Sequence, residues 1–243
     1  MSSDKKEALF EHIKALRRVL VVSAAAVGVL FVLFFYLLCN PLVDFVLAPV
    51  RSRGIDVIAT AVSEALMIQL KVCLVAAIVA GMPVIIQQTW SFIAPALYPH
   101  EKRLVAGLFL ASLLLFAGGV VFCYLYVFPL AINLFWAASD TVAPAMWSVN
   151  EYFSFVLSFV LPFGLMFELP VIIFMLARRG KVNYAKLAKA RKYVLLVIAV
   201  VAAVLTPPDV VSQCMLGLPM YLLYEIAAQM ARFVKPMQTE EVA

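Results

Sequence analysis

Long apolar blocks separated by short polar breaks dominate this chain. A run of about 20 apolar residues spans a hydrocarbon core of about 30 Å. Six blocks reach or approach that length: Val19–Leu38, Leu66–Ile86, Leu104–Tyr126, Tyr152–Ala177, Tyr193–Thr206 and Val210–Ala231. The pattern predicts an all-α integral membrane protein of six transmembrane helices, the fifth and sixth short, forming a single membrane domain over residues 1–243. Residues 1–18 read as an amphipathic lead-in with Leu9, Ile13, Leu16 and Leu20 on one helical stripe, able to rest on a membrane surface. Residues 235–243 read as a disordered tail. The first block is too long for a signal-peptide core, and no small-x-small cleavage site follows it, so the first helix is expected to be retained.

Composition agrees with this setting. Hydrophobic residues make up 65% of the chain and charged residues 14%, and the mean hydropathy is +1.03, far from the range of soluble domains. The basic residues then give an orientation. Lys5, Lys6, Lys14, Arg17 and Arg18 precede the first block, and Lys102 and Arg103 lie between the second and third. Arg178, Arg179, Lys181, Lys186, Lys189, Arg191 and Lys192 lie between the fourth and fifth, with Arg232 and Lys235 after the sixth. All of these fall on one side; only Arg51 and Arg53 fall on the other, and Lys71 is inside or near the second block. The positive-inside rule places both termini in the cytoplasm. The net charge of +5 is therefore a topology signal. A nucleic-acid partner would need a basic groove with interleaved aromatics, which is absent.

Three segments carry candidate chemistry. Gln87–Arg103, between two apolar blocks, holds Trp90, Phe92, Tyr98, Pro95 and Pro99 and ends in Glu101 beside Lys102 and Arg103. Aromatic rings suit the membrane interface, and prolines fix backbone, so this segment reads as a rigid loop presenting Glu101. Glu168 lies ten residues before Arg178 and thus near the bilayer centre, in Phe163-Gly164-Leu165-Met166-Phe167-Glu168-Leu169-Pro170. An Arg, Lys or Asp at that depth costs about 2.5–3.5 kcal/mol, and such groups usually face a bundle interior or a wet cavity. A neutral tie between two helices and a polar working site both fit, and Pro162 and Pro170 invite a bend there. Finally, Tyr193–Thr206 covers about 21 Å at 1.5 Å per residue, and the return run Val210–Tyr224 is similar before Glu225 interrupts it. Pro207-Pro208-Asp209 forms the outer turn. Such a hairpin either thins the bilayer or is shielded by neighbouring spans.

Cys39, Cys73, Cys123 and Cys214 are widely spaced, no C-x-x-C pair occurs, and the two histidines are His12 and His100, so neither a metal nor a cofactor is expected. H-E-x-x-H, G-x-S-x-G and the phosphate-binding G-x-x-x-x-G-K-[ST] are absent, which points away from an enzyme. A secondary transporter with Glu168 as its ion site would commonly show internal repeats, and none is found.

Taken in order, the motifs resemble the C-subunit family of the twin-arginine protein translocase (TatC) over nearly the whole chain. They are His12…Leu16-Arg17, Glu64…Lys71, and Pro83…Gln88-x-Trp90-x-Phe92-Ile93-x-Pro95-x-Leu97-Tyr98…Glu101. Then come Phe116…Tyr124…Pro129, Phe163-Gly164-x-x-Phe167-Glu168-x-Pro170, and Arg191-x-Tyr193. Thr206-Pro207-Pro208-Asp209 with Gln213, and Pro219…Tyr224-Glu225, complete the series. The resemblance implies a bacterial cytoplasmic (inner) membrane receptor for twin-arginine signal peptides. With single-span TatA/TatB-type subunits in a hetero-oligomer, such a receptor exports folded proteins on the proton-motive force.

It further implies signal recognition at the amino-terminal segment and the first cytoplasmic loop, hence at Arg17, Trp90, Phe92, Tyr98 and Glu101. Glu101 could accept a guanidinium fork through paired charge-assisted hydrogen bonds. One departure stands out. The family usually carries H-L-x-E-L-R-x-R before the first span, and here the glutamate position is Ala15 and the last arginine position Val19. Glu11 lies one helical turn before Ala15 on the same face, about 6 Å away, and is a candidate substitute. Glu168, Gln213 and Glu225 are the candidate intramembrane docking groups for partner subunits.

Overall fold

The computed structural model describes the backbone of residues 3–97, 102–139, 146–206 and 209–234, and the side chains of 13–92, 103–137, 147–206 and 209–234. In chain order the elements are α1 (Ser3–Leu37), α2 (Cys39–Arg51), β1 (Asp56–Ile58), α3 (Glu64–Leu97), α4 (Lys102–Phe122) and a π-helical turn at Cys123–Val127. There follow α5 (Phe128–Ser139), β2 (Met146–Ser148), α6 (Val149–Met166), α7 (Leu169–Arg178), α8 (Tyr184–Leu205) and α9 (Val210–Met230). They group into two compact units, Met1–Phe45 with Ser63–Leu113, and Val46–Val62 with Leu114–Ala243. Five helical stretches among the described residues are long and apolar enough to cross a membrane: Ile13–Leu37, Glu64–Phe92, Arg103–Ala137, Val149–Arg178 and Val210–Met230. α8 has the length, at 22 residues, but its first turns carry Lys186, Lys189, Arg191 and Lys192.

In the first unit α1 packs along α3. Gly81 permits the approach, since a Cβ there would sit 3.2 Å from Val27 Cγ2 and 3.5 Å from Leu30 Cδ1. α1 is unbroken from Ser3, so the amphipathic lead-in is the first part of the spanning helix rather than a separate surface helix. No proline and no glycine interrupts Ser3–Val27, and nothing there would set a boundary. α3 also outruns its apolar block. The helix continues from Ile86 to Leu97, so Trp90 and Phe92 stand on a helix rather than on a loop. The polar Gln87-Gln88-Thr89 triplet does not break it, because the Thr89 hydroxyl donates back to the Ile85 carbonyl at 2.8 Å within the helix.

In the second unit the part of α4 from Leu114 onward and α5 form one rod through the π turn. Phe128 N–H reaches Cys123 O, so the widened turn absorbs Pro129, which has no N–H to donate and whose ring would otherwise collide with the carbonyl four residues back. The fourth block is two helices, broken at Phe167-Glu168. Pro170, in the first turn of α7, suits a new helix start, while Pro162 is accommodated inside α6. Phe116, Phe159 and Phe163 are buried, with Phe122 ringed by Phe163 and Phe167 at 6.1 and 5.8 Å. α8 and α9 open on Asn183 and Asp209, whose side chains accept from Lys186 N at 2.9 Å and Ser212 N at 2.6 Å. The short apolar runs of the hairpin are thus carried on helices of 22 and 21 residues.

A feature with no counterpart in the sequence reading is a parallel pair of three-residue strands, β1 against β2, with Val57 opposite Trp147. Gly54, at φ +69°, supplies the left-handed turn that leads into β1. Arg53 braces it, donating to Asn133 Oδ1 at 2.8 Å and to the Pro49 carbonyl at 2.7 Å. Tyr152 donates to the Val46 carbonyl at 2.7 Å.

Candidate functional site

The end of α3 is the best-defined part of the expected recognition surface. Trp90 is 7% exposed, and its indole N–H donates to Ser112 Oγ on α4 at 3.3 Å. Ser112 is itself buried, so a large apolar ring and its one polar atom are both satisfied inside the first unit. Sequence reasoning singled out Trp90 as an interfacial aromatic and missed Ser112 entirely, since a serine within an apolar block carries no signal of its own. Phe92 is half-buried two residues on. Arg17 lies exposed on α1. Glu11 belongs to the helical part of α1, though its side chain, like Tyr98 and Glu101 as a whole, lies outside the described residues.

Glu168 stands at the α6–α7 break. Its carbonyl accepts from Val171 and Ile172, both at 3.1 Å, and opens α7, while its Oε1 atom is shut off from solvent. The aromatic wall beside the break is tightly fitted. A Cβ on Gly119 would stand 2.9 Å from the Phe163 carbonyl and from Phe167, and one on Gly164 would stand 2.4 Å from Phe116 Cε2. Gln213 is half-buried in the first turn of α9, one turn beyond its Asp209 cap, and α9 packs against both α6 and α7. Pro207 and Pro208 lie outside the described residues.

Glu225 behaves differently from what its grouping with Glu168 and Gln213 implied. Its carboxylate is taken by Arg191 of α8, with Nε to Oε2 at 2.9 Å and Nη2 to Oε1 completing a bidentate pair. Gln229 Nε2 donates to the same carboxylate at 3.0 Å, and the Tyr184 hydroxyl accepts from Arg191 at 3.2 Å. The hydrogen bonds to Glu225, and secondarily to Tyr184, hold the Arg191 guanidinium above its ordinary range. Nearby, Arg232 lies over the Tyr184 ring at 4.6 Å. Behind this cluster α7, α8 and α9 share a core of Ile173, Ala177, Leu187, Tyr224, Ala227 and Ala228, and Tyr224 donates to the Leu187 carbonyl at 2.7 Å. Glu225 is therefore a tie between helices, because a carboxylate with three donors already around it has little left to offer a docking partner.

The sequence matches the TatC family, described as Sec-independent protein translocase protein (TatC), over residues 11–219. It is 36% identical to the Sec-independent protein translocase protein TatC of Carboxydothermus hydrogenoformans over 236 residues, 97% of each chain. With the protein of the same name from Escherichia coli K12 it shares 38% identity, covering 96% of this chain and 91% of that one. A crystal structure of a twin arginine translocase receptor, TatC, superposes with a TM-score of 0.86 at 34% identity, covering 91% of this chain and 98% of the other. The family expected from the ordered motifs is the family found, and the six-span expectation agrees with it.

Proposed function

Because the chain belongs to the TatC family of Sec-independent protein translocase proteins, we propose that it is the receptor subunit of a twin-arginine translocase in a bacterial cytoplasmic membrane. Both termini face the cytoplasm in this reading. The chain binds twin-arginine signal peptides there and, in a hetero-oligomer with single-span TatA/TatB-type subunits, exports folded cargo on the proton-motive force. The observation that carries the recognition site is the burial of Trp90 and its bond to Ser112. A helix end fixed in that way gives the segment leading to Glu101 a rigid base, and binding groups carried on a rigid base lose less entropy on meeting a partner.

In this reading Glu101 is the main acceptor for the arginine pair. Glu11 is a weaker substitute for the carboxylate missing at Ala15. Arg17, Phe92 and Tyr98 line the surface, and the buried Trp90 anchors the helix end behind it. Glu168 and Gln213 contribute a polar surface at lipid depth where partner helices dock, since polar groups inside a bilayer gain about 0.6–2 kcal/mol from a partner across helices. Pro207, Pro208 and Asp209 form the outer turn of the hairpin.

Crosslinking or affinity measurement with a twin-arginine peptide tests the assignment. Glu101→Gln should nearly abolish binding, because a neutral amide cannot act as a bidentate anion. Glu11→Gln should weaken it clearly, and Ala15→Glu should restore it in that background. Parent-like binding by Glu101→Gln sinks the site, whereas parent-like binding by Glu11→Gln removes only the substitute.

A further inference from the structure

Three helix ends of the second unit come together beside the Arg191–Glu225 pair. α7 ends at Arg178, Gly180 at φ +69° turns the chain, and α8 opens at Tyr184. Val182 of the turn and Val234 beyond α9 pack on the same apolar core, so the turn and the end of α9 lie side by side. Cations collect here without carboxylates to balance them. Between Arg178 and Val234 the described carboxylates are Asp209, at the far end of the hairpin, and Glu225, which Arg191 takes. Lys186 donates to the Lys181 carbonyl at 3.1 Å and Arg232 to Gln229 Oε1 at 3.3 Å, neutral acceptors that leave the charge in place. Lys189 and Lys192 are exposed.

An apolar strip runs on from this charge. Lys186, Lys189, Tyr193, Leu196 and Val200 follow one another at intervals of three, four, three and four residues, so they share one face of α8. All five are exposed. Lys192 stands beside them with its ammonium 5.0 Å over the Tyr193 ring. On the α9 side Arg232 lies 4.6 Å over the Tyr184 ring, and its neighbour Phe233 is 85% exposed. Cations above, aromatic rings at the boundary and aliphatic side chains below match a phospholipid from headgroup to acyl chain.

We propose that this end of the second unit binds anionic phospholipid, its headgroup phosphate held by Lys186, Lys189, Lys192 and Arg232 and an acyl chain lying along Leu196 and Val200. A soluble anion would meet the charges and leave the strip unused, which is why the occupant is a lipid. The site does not depend on the signal-recognition reading and serves in whichever leaflet this end lies. A Lys or Arg near an anionic surface contributes about fivefold in affinity, so three of these cations together favour an anionic over a zwitterionic lipid by on the order of 100-fold.

Native mass spectrometry of the full chain in detergent, titrated with phosphatidylglycerol or with phosphatidylcholine of the same acyl chains, tests the proposal. The parent should prefer phosphatidylglycerol. Lys189→Gln, Lys192→Gln and Arg232→Gln should each remove about fivefold of that preference, and the three together should abolish it. Lys14→Gln removes the same charge from the exposed part of α1 and should keep the preference. So should the charge-conserving triple K189R, K192R and R232K, which separates lost charge from lost fold. Equal binding of the two lipids by the parent overturns the proposal and leaves the patch to an acidic protein segment. A preference that survives the glutamine triple also overturns it, as does an equal loss in Lys14→Gln or in the charge-conserving triple. The readout is lipid binding, so its failure is distinct from any failure of signal-peptide binding.

Discussion

Replacing Gly164 by alanine adds one methyl group where the structure has no room for it. The new Cβ would lie 2.4 Å from Phe116 Cε2 and 2.9 Å from both Cδ2 and Cζ. Carbon atoms rest at about 3.5–4.0 Å, so the ring must retreat by about 1 Å. Phe116 is buried, with no open side to swing towards, and α4 and α6 must part instead. Overpacking of this kind costs about 1–3 kcal/mol, and a 2.4 Å approach to a rigid ring belongs at the upper end. Alanine returns up to about 1 kcal/mol of helix propensity relative to glycine. The net loss is about 2 kcal/mol. For a chain of this size that lowers the melting temperature by about 4–8 °C.

Thermal unfolding of the purified protein in detergent, followed by tryptophan fluorescence, measures it. Gly118→Ala is the matched control, since a Cβ there meets nothing within 4 Å, and it should melt with the parent or slightly above. Phe116→Leu in the Gly164→Ala background should recover part of the loss, with a coupling of about 0.5–3 kcal/mol in the double-mutant cycle. A Gly164→Ala protein that melts with the parent, or a strictly additive cycle, would show that the close approach is not what the glycine is for.

Glu225→Gln should lower thermal stability, and by less in high salt, because the Arg191 pair is half-exposed; unchanged melting at low salt would mean that the pair contributes nothing. Glu168→Ala should leave folding and signal binding largely intact while transport in membrane vesicles falls, and normal transport would remove Glu168 from the mechanism. Four apolar residues inserted into each arm of the α8–α9 hairpin should impair transport if the short apolar runs thin the bilayer, and unchanged transport would refute that role.

The spanning blocks were legible because hydropathy reports where lipid is. It does not report where backbone hydrogen bonding ends. α3 therefore outran its block to Leu97, and α8 began at Tyr184, where the Asn183 cap starts a helix among lysines. The break at Phe167-Glu168 was foreshadowed by Pro170, although its position two residues earlier follows from the helix start that the proline prefers. The strand pair was invisible, since three residues at Asp56–Ile58 find their partners at Met146–Ser148, far beyond any local pattern. Arg191 and Glu225 were both legible as motif residues. Their pairing was not, because a contact 34 residues apart depends on the register of α8 on α9. The role of Ser112 was hidden for the same reason, since its bond to Trp90 spans 22 residues.

That register decides how the short hairpin can meet a membrane. The Arg191–Glu225 pair sits where the apolar runs of both arms end, and Lys192, 5.0 Å above the Tyr193 ring, marks the same level on α8 as interfacial residues do. At the opposite end Thr206 turns its hydroxyl back to Ala202 at 2.8 Å and Asp209 caps α9. With the arms joined by the two-residue connection at that end and by the Arg191–Glu225 pair at the other, one arm cannot slide along the other to gain length. Shielding by neighbouring spans of the same unit is not available to α8 either. Its apolar part buries only Ile198 and Ala202, while Leu195, Leu196, Val197, Val200 and Val204 are exposed, and its packing is against α9. An apolar wall about 21 Å tall is therefore left to lipid or to another subunit. Lipid must thin to meet it, and a partner helix laid along it must accept the same short span.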